Sequence, residues 1–321
     1  MNAPTTPDLD LAVLHHLRGD IEGAEEGYRS VLAATPDNAT ALNNLGFAAA
    51  QSGRFDEAAA LYERSIAVDD RATAHLNLGN VRAAMGDLDG GIAELSRATE
   101  LAPSDTTAYD NLGQLLLLQG RIAEAEAAWR HAVSIEDRPG LRTALATAAA
   151  AAGRLGEAAG LLHQALALDP RHGTAWSQLG AVLLLRGDLA SACQALATAK
   201  QLLPEDTGTR RHLALALMAL GHTEEAVVEF GDLVRIDPDD VTSRVDLAVL
   251  CLASGRAAQA LTQLDRALEV VPDDERARLH RAFALREVGR AAEGDELLRL
   301  IADTDGGYRE RAKQALADNQ S

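Results

Sequence analysis

Apolar side chains recur along this chain at helical spacing, in pairs of runs separated by a single glycine. Before Gly53 they include Leu42 and Leu45, and after it they include Ala58 and Leu61. Spacings of three and four residues place such side chains on one face of an amphipathic helix. Glycine takes the left-handed conformation at a helix end without steric cost, so Gly53 marks the turn. The pattern predicts two antiparallel helices joined at this glycine.

The same pattern returns nine times and divides the chain into repeats of 33 or 34 residues. The repeats start at Thr5, Ala39, Ala72, Thr106, Pro139, Gly173, Thr207, Val241 and Glu275. Counted from these starts, position 15 is glycine in every repeat: Gly19, Gly53, Gly86, Gly120, Gly153, Gly187, Gly221, Gly255 and Gly289. Positions 8 and 20 hold only alanine or glycine, which lets two helices approach closely. A fixed period in this range indicates a repeat array.

Two further features complete the repeat. Six second helices are followed by a proline, which cannot continue a helix: Pro36, Pro103, Pro170, Pro204, Pro238 and Pro272. Four repeats carry an aromatic residue four positions after the second small residue: Tyr28, Tyr62, Trp129 and Phe230. With the glycine turn and the 34-residue period, this pattern resembles the tetratricopeptide repeat.

The resemblance implies an all-α fold, a right-handed α-solenoid (superhelix) of nine helix-turn-helix repeats plus a C-terminal capping helix. The repeats should extend over residues 5 to 304. We expect residues 1 to 4 to be disordered and the capping helix to lie over residues 307 to 318, where an amphipathic stripe follows Gly306 and Gly307.

Position 6 of each repeat, on the first helix, is the main candidate for a binding site. Three successive repeats carry Asn44, Asn77 and Asn111 there, and the sixth repeat carries Gln178. In the tetratricopeptide family the first helices line a concave face, and these residues resemble the asparagine ladder of the repeat superhelix in O-linked N-acetylglucosamine transferase. The resemblance implies amides that hydrogen-bond the main chain of an extended peptide. Ala144 in the fifth repeat interrupts the ladder.

Neighbouring amides would widen this polar strip, namely Asn43, Asn80 and Gln114. A second interpretation stays open, because asparagine is the usual residue at position 6 in this family. There it can simply be solvated or bonded to a neighbouring helix, without contacting any partner.

The acidic charge of the chain narrows the range of partners. Its formal net charge is -18, from 48 acidic and 30 basic residues. Such a surface repels phosphate backbones and anionic lipid, so we expect no nucleic-acid and no membrane partner. The second half is less acidic, and Arg211 and Arg276 lie on its first helices. If they face the groove, they would receive an acidic segment of a partner. The alternative is that they are solvated or salt-bridged at its edge.

No pattern typical of catalysis, cofactor binding or metal binding is found. The sequence lacks a phosphate-binding glycine loop, a His-Glu-x-x-His motif and paired cysteines at metal spacing. Cys193 and Cys251 fall in different repeats and are predicted to be small buried hydrophobic residues. The first eight residues lack the basic and apolar regions of a signal peptide. We therefore expect a cytoplasmic protein without catalytic residues or cofactor. Its alanine content and preference for arginine over lysine suggest a bacterial source.

Three functional classes remain. The leading prediction is a scaffold or adaptor that holds an extended peptide or a partner protein in a concave groove. One alternative is a structural protein that assembles with itself into a homo-oligomer. The other is an accessory subunit that presents substrate to a separate enzyme.

Overall fold

The computed structural model describes residues 8 to 318, so the disorder expected for residues 1 to 4 lies outside the described residues. Within this range the chain forms nineteen α-helices. The first helices of the nine repeats are α1 (Leu9–Leu17), α3 (Ala39–Gln51), α5 (Ala72–Ala84), α7 (Thr106–Leu118), α9 (Pro139–Ala151), α11 (Gly173–Leu185), α13 (Thr207–Ala219), α15 (Val241–Ala253) and α17 (Glu275–Glu287). The second helices are α2 (Ile21–Ala34), α4 (Phe55–Val68), α6 (Leu88–Leu101), α8 (Ile122–Ile135), α10 (Leu155–Leu168), α12 (Leu189–Leu202), α14 (Thr223–Ile236), α16 (Ala257–Val270) and α18 (Ala291–Ala302). The last helix is α19 (Arg309–Ala317).

The helices fall into two compact units that divide between Leu168 and Asp169. The amino-terminal unit contains α1 to α10, and the carboxy-terminal unit contains α11 to α19. Inside each unit the two helices of a hairpin pack together, and each second helix packs against the first helix of the next hairpin. Each unit is therefore a solenoid of stacked hairpins. The expectation that residues 5 to 304 form one continuous array stays a prediction.

The nine turn glycines adopt the conformation that the sequence predicts. Their φ angles lie between 70° and 87°, and among residues 8 to 318 no other residue type has a positive φ. At the second turn, the Gly53 N–H donates to the Ala50 carbonyl at 3.0 Å, and the Arg54 N–H donates to the Ala49 carbonyl at 2.9 Å. These two bonds satisfy the last carbonyls of α3 and fix the reversal of the chain.

Acidic side chains begin many of the helices. Asp20, for example, accepts a hydrogen bond from the Gly23 N–H at 3.0 Å at the start of α2. Similar caps begin α6, α7, α12, α13, α15 and α17, and Asn38 caps α3. Each cap satisfies N–H groups that have no partner within the helix. Part of the acidic surplus of this chain therefore serves to begin helices.

The small residues at positions 8 and 20 lie where the helices of a hairpin meet. In the fourth repeat, Gly113 on α7 faces the ring of Trp129 on α8, and a Cβ at position 113 would lie 2.6 Å from that ring. The indole is buried, and its Nε1–H donates to Asp110 at 2.8 Å. Ala125, at position 20, is fully buried in the same cluster. A large side chain opposite a glycine thus fills the core while the backbones remain close.

Helix α19 covers the end of the carboxy-terminal unit. Its Ala312 is buried against Leu298 and Ile301 of α18, and Leu316 packs at the margin of the same cluster. The Arg286 guanidinium of α17 also donates to the Ala315 carbonyl at 3.0 Å. A helix therefore lies where the capping helix is expected, within residues 309 to 317 of the predicted range.

We expect Gly113→Ala to destabilise the protein by about 1 to 3 kcal/mol, because the new methyl group would overlap the Trp129 ring. Gly160→Ala is the matched control, since it lies on the exposed face of α10 and, apart from its own turn of helix, no described atom lies within 4 Å of its added Cβ. That change should stabilise the helix by about 0.5 to 1 kcal/mol. Urea unfolding followed by circular dichroism measures both. Equal effects of the two substitutions would contradict the close packing at position 8.

Candidate protein-binding face

The first helices of most successive hairpins contact one another directly. In the amino-terminal unit these contacts join α1 to α3, α3 to α5, α5 to α7 and α7 to α9. Across the described residues, no two successive second helices are in comparable contact. Successive first helices therefore lie closer to one another than successive second helices do. We call the surface formed by the exposed side chains of the first helices the inner face.

Amide side chains on α3, α5 and α7 join across the helices of this face. The Asn77 Nδ2 donates to the Asn43 Oδ1 at 3.1 Å, and the Asn111 Nδ2 donates to the Asn80 Oδ1 at 2.9 Å. On α3 itself, Asn43 donates to the Asn44 Oδ1 at 3.2 Å. We call these five residues, together with Gln114, the amide row.

Members of the amide row differ in how many hydrogen bonds they make within the protein and in their exposure to solvent. Asn44 also shares a hydrogen bond with the phenol of Tyr28 on α2, whose pKa is raised by burial. Asn80 and Gln114, both at position 9, are exposed to solvent. Bonding between neighbouring helices, the second interpretation from sequence, is therefore present in this row. It does not exclude partner binding, because each amide carries two donors and two acceptor lone pairs.

Two exposed apolar residues on these first helices were missed by the sequence argument. Phe47 on α3 is 43% exposed and lies 5.4 Å, centroid to centroid, from the ring of His16 on α1. Leu118, at the end of α7, is 72% exposed. Phe47 occupies position 9, as do Asn80 and Gln114, so an alignment of position 9 would have revealed it.

The amide row ends at α7. The fifth repeat carries Ala144 at position 6, and this side chain packs against the apolar cluster around Trp129. No amide is available there to continue the row, as the sequence predicts.

The carboxy-terminal unit places different chemistry on its first helices. Arg276 pairs with Asp246 at 2.5 Å, which joins α17 to α15, and Arg211 pairs with Asp240, the cap of α15, at 2.6 Å. Gln178 is half-buried on α11. The two arginines thus already have carboxylate partners inside the protein. Their binding of an acidic partner segment stays a prediction.

Two histidines occupy position 6 in this unit. Burial, reinforced by the charges of Arg276 and Arg311, lowers the pKa of His280 from 6.5 to about 4. Burial also lowers the pKa of His212. Both rings are therefore neutral at physiological pH.

Residues 8 to 318 contain no group of three or more His, Cys, Asp or Glu side chains placed to hold a metal ion. None of the helices that the structure describes is long and apolar enough to cross a membrane. Cys193 and Cys251 are free thiols; Cys251 is buried, as predicted, whereas Cys193 is only partly buried.

Stacked helical hairpins of nearly constant length define a helical-repeat protein. Residues 9–75, 76–139 and 143–207 match one family model of the Tetratricopeptide repeat, and residues 217–282 match another. These matches cover well over half of the chain, which therefore belongs to the tetratricopeptide repeat family. The family and the all-α solenoid fold predicted from the sequence are confirmed. This repeat is generally a non-catalytic scaffold for protein interactions.

Curated relatives share the repeats over part of the chain. Protein FlbA of Caulobacter vibrioides is 33% identical over 129 residues, which cover 39% of this chain and 22% of that protein. Protein CTR9 homolog of Arabidopsis thaliana is 32% identical over 98 residues, which cover 30% of this chain and 9% of that protein. The chain thus matches less than a quarter of the length of either relative.

Solved structures show the same fold. The APC/C hetero-tetramer Cut9-Hcn1 has a TM-score of 0.61 at 16% identity and covers 83% of this chain and 52% of that chain. Yeast Tom70 has a TM-score of 0.57 at 15% identity and covers 94% of this chain and 69% of that chain. At these identities the likeness concerns the fold alone.

We expect stability to fall with acidification because of His280. Its pKa is about 4 in the folded protein and about 6.5 in the unfolded chain, so protons bind the unfolded state more tightly. The stabilisation is complete above about pH 6.5 and is lost progressively as the pH falls towards 4. At pH 5 the loss relative to pH 8 should be about 2 kcal/mol.

Urea unfolding of the wild type and of His280→Gln, each at pH 8 and pH 5, tests this expectation. The variant should lose less stability between the two pH values, because its side chain does not titrate. Equal losses in both proteins would show that His280 is not the responsible group.

Proposed function

We propose that this protein is a non-catalytic scaffold that holds an extended segment of a partner protein along the amide row. The observation that carries the proposal is the joining of amides from three successive first helices into one polar row on the inner face. Exposed Phe47 and Leu118 lie on the same helices and offer apolar contacts near this row.

The hydrogen-bonding capacity of the row supports this proposal. Among residues 8 to 318, Asn77 and Asn111 each donate a single hydrogen bond, so each retains an N–H and a carbonyl oxygen. A peptide backbone presents one donor and one acceptor per residue and can pair with both groups. Packed helices lie about 10 Å apart, and an extended chain advances about 3.3 Å per residue. Each helix would thus contact about every third residue of the segment.

The available interactions are sufficient for a specific complex of modest affinity. Four hydrogen bonds at about 0.5 to 1.5 kcal/mol each contribute about 2 to 6 kcal/mol. Burial of Phe47 and Leu118 adds about 1.5 to 3 kcal/mol for each side chain. Micromolar binding requires about 8 kcal/mol. Both the amides and the apolar side chains are therefore needed, before ordering costs are counted.

A role for the arginines of the carboxy-terminal unit is the weaker part of the proposal. An acidic partner segment would have to displace Asp240 from Arg211 or Asp246 from Arg276. Such an exchange of one carboxylate for another contributes little net affinity. We therefore place the principal binding site on the amino-terminal unit.

Affinity capture from cell lysate tests the proposal with two variants of the full chain. The inner-face variant carries Phe47→Ala, Asn80→Ala and Gln114→Ala. The control carries Glu26→Ala and Arg64→Ala, which are exposed on α2 and α4 and leave the net charge unchanged. Proteins retained by the wild type and the control should bind the inner-face variant at least tenfold more weakly, because about 1.4 kcal/mol is lost.

Retention of the same proteins by all three forms would contradict an inner-face site. Concentration-dependent mass in sedimentation velocity, with no other protein captured, would instead favour self-assembly. Circular dichroism should show equal helix content in all three proteins, since the five substituted side chains are exposed.

A further inference from the structure

We use the word joint for the space between two successive second helices together with the side chains that line it. Two joints of this chain are bridged by the same set of four charged residues. At the joint of α2 and α4, Arg29 pairs with Glu25 at 2.6 Å and Arg54 pairs with Glu57 at 2.8 Å, while Arg54 also contacts Glu25. These residues occupy positions 21 and 25 of one repeat and positions 16 and 19 of the next. The buried Glu25 therefore binds one arginine of its own helix and one arginine at the start of the next second helix.

The joint of α8 and α10 repeats this arrangement with the same residue types. Glu126 pairs with Arg130 at 2.5 Å and with Arg154 at 2.7 Å, and Arg154 also pairs with Glu157 at 2.9 Å. Glu126 is buried, as Glu25 is. The chain therefore uses the same arrangement of two glutamates and two arginines to bridge two of its joints.

The joint of α12 and α14, inside the carboxy-terminal unit, lacks this arrangement. The four equivalent positions hold Cys193, Ala197, His222 and Glu225. Both arginines and the buried glutamate are absent, and the small side chains leave a crevice of about 650 Å³. At the joint of α6 and α8, where Ile92 replaces the buried glutamate, the corresponding crevice measures about 350 Å³.

The lining of this α12/α14 crevice is mainly apolar. Leu213 and Leu217 of α13 form its buried floor, and Leu220 lies at the end of the same helix. Val228 of α14 lies on the rim and is 61% exposed. Crevices of several hundred Å³ with a mainly apolar lining are the usual form of binding sites, and Val228 extends the apolar lining of this crevice to the surface.

One charge at the rim lacks the partner that it has in other repeats. Four other repeats carry glutamate at position 19, and in each an arginine three residues earlier pairs with it: Arg54 with Glu57 at 2.8 Å, Arg121 with Glu124 at 2.7 Å, Arg154 with Glu157 at 2.9 Å and Arg290 with Glu293 at 2.6 Å. Among residues 8 to 318, Glu225 has only the imidazole of His222 as a partner, at 3.1 Å, and its side chain is 67% exposed. The other crevice carboxylate, Glu229, is already paired with Lys200 and Arg210.

We propose that the α12/α14 crevice receives an amphipathic helix of a partner protein, whose apolar side chains fill the crevice and whose arginine pairs with Glu225. The partner thereby supplies in trans the guanidinium that this joint lacks. Along α12 the lining extends from Cys193 to Gln201, which is about 12 Å at the rise of an α-helix. That length accommodates two apolar residues spaced by four positions on the incoming helix.

This site is independent of the amide row. It lies between α12 and α14, over α13, in the carboxy-terminal unit, whereas the amide row lies on first helices of the amino-terminal unit. Loss of one site should therefore leave the other intact, and the two proposals can fail separately.

The test uses the full chain and a fluorescent, hydrocarbon-stapled helical peptide of about fourteen residues. The probe carries two leucines four positions apart and an arginine one turn before the first leucine. A second peptide replaces the arginine by glutamate. Fluorescence polarisation at physiological salt should show at least fivefold weaker binding of the glutamate peptide, because Glu225 repels it. Equal binding of the two peptides would overturn the pairing with Glu225.

A variant that rebuilds the four charges provides the decisive comparison. Cys193→Glu, Ala197→Arg and His222→Arg install, beside Glu225, the residue types that already close two other joints of this chain. The peptide should bind this variant at least tenfold more weakly. The matched control, Ile92→Glu with Ser96→Arg, installs the same types at the α6/α8 joint, beside Arg121 and Glu124, and should bind as the wild type does. Unchanged binding to the rebuilt variant would overturn the proposal.

Thiol labelling locates the peptide without any substitution. Cys193 lines the crevice and is partly exposed, whereas Cys251 is buried on α15 and serves as the internal reference. Saturating peptide should slow iodoacetamide labelling of Cys193 at least threefold at pH 8.5, read by mass spectrometry. An unchanged rate would overturn the site.

Other occupants give different results in the same experiments. If lauric acid protects Cys193 and no peptide binds, the crevice binds a small apolar ligand and not a partner helix. Self-association that disappears in the rebuilt variant would replace it by a second copy of the chain.

Discussion

The close approach of two helices inside each hairpin is the constraint on which the rest of the structure depends. At position 8 the backbone of the first helix lies against a large side chain of the second, as Gly113 lies against Trp129. The approach is possible only where position 8 is small and where a glycine reverses the chain with positive φ. Because every repeat meets both conditions, every repeat forms the same hairpin. Stacking then buries the apolar faces that one hairpin cannot bury alone.

This constraint acts inside each hairpin, so the side chains on the remaining surfaces of the helices can differ between repeats. On α3, α5 and α7 of the amino-terminal unit, position 6 carries amides that bond from helix to helix, as Asn77 does to Asn43. On the second helices, two joints are closed by four charges each, around Glu25 and Glu126. The joint beside Cys193 lacks these charges and remains open. The same backbone can thus present a hydrogen-bonding row on one face and an apolar crevice on another.

Most charged side chains of the protein cap helices or form ion pairs within the fold. Aspartates begin the helices, glutamates close joints with arginines, and Arg276 bridges α17 to Asp246 of α15. A net charge of -18 therefore does not imply an equal number of free acidic groups. This distribution explains why whole-chain charge indicates little about a particular site, whereas the pairing of a single residue, such as Glu225 with His222, describes that site directly.

Much of the fold was determined by the sequence alone, because its signals are local. Glycine at position 15, small residues at position 8 and proline after the second helix act within a few residues of themselves. They predicted the starts of the nine repeats, and eight first helices begin at the first residue of their repeats, as α3 begins at Ala39. The amides at position 6 were identifiable for the same reason, since their spacing is that of the repeat.

The tertiary structure alone decided which polar groups meet. Asn111 bonds to Asn80 rather than to a position-6 neighbour, and Arg211 pairs with Asp240 across 29 residues of sequence. These pairings depend on the angle and separation between neighbouring helices, which no single residue sets. The same holds for the α12/α14 crevice, because its volume arises from what four positions on two helices leave unfilled. Local rules fix the hairpin, whereas side-chain packing between hairpins determines the surfaces on which a partner can bind.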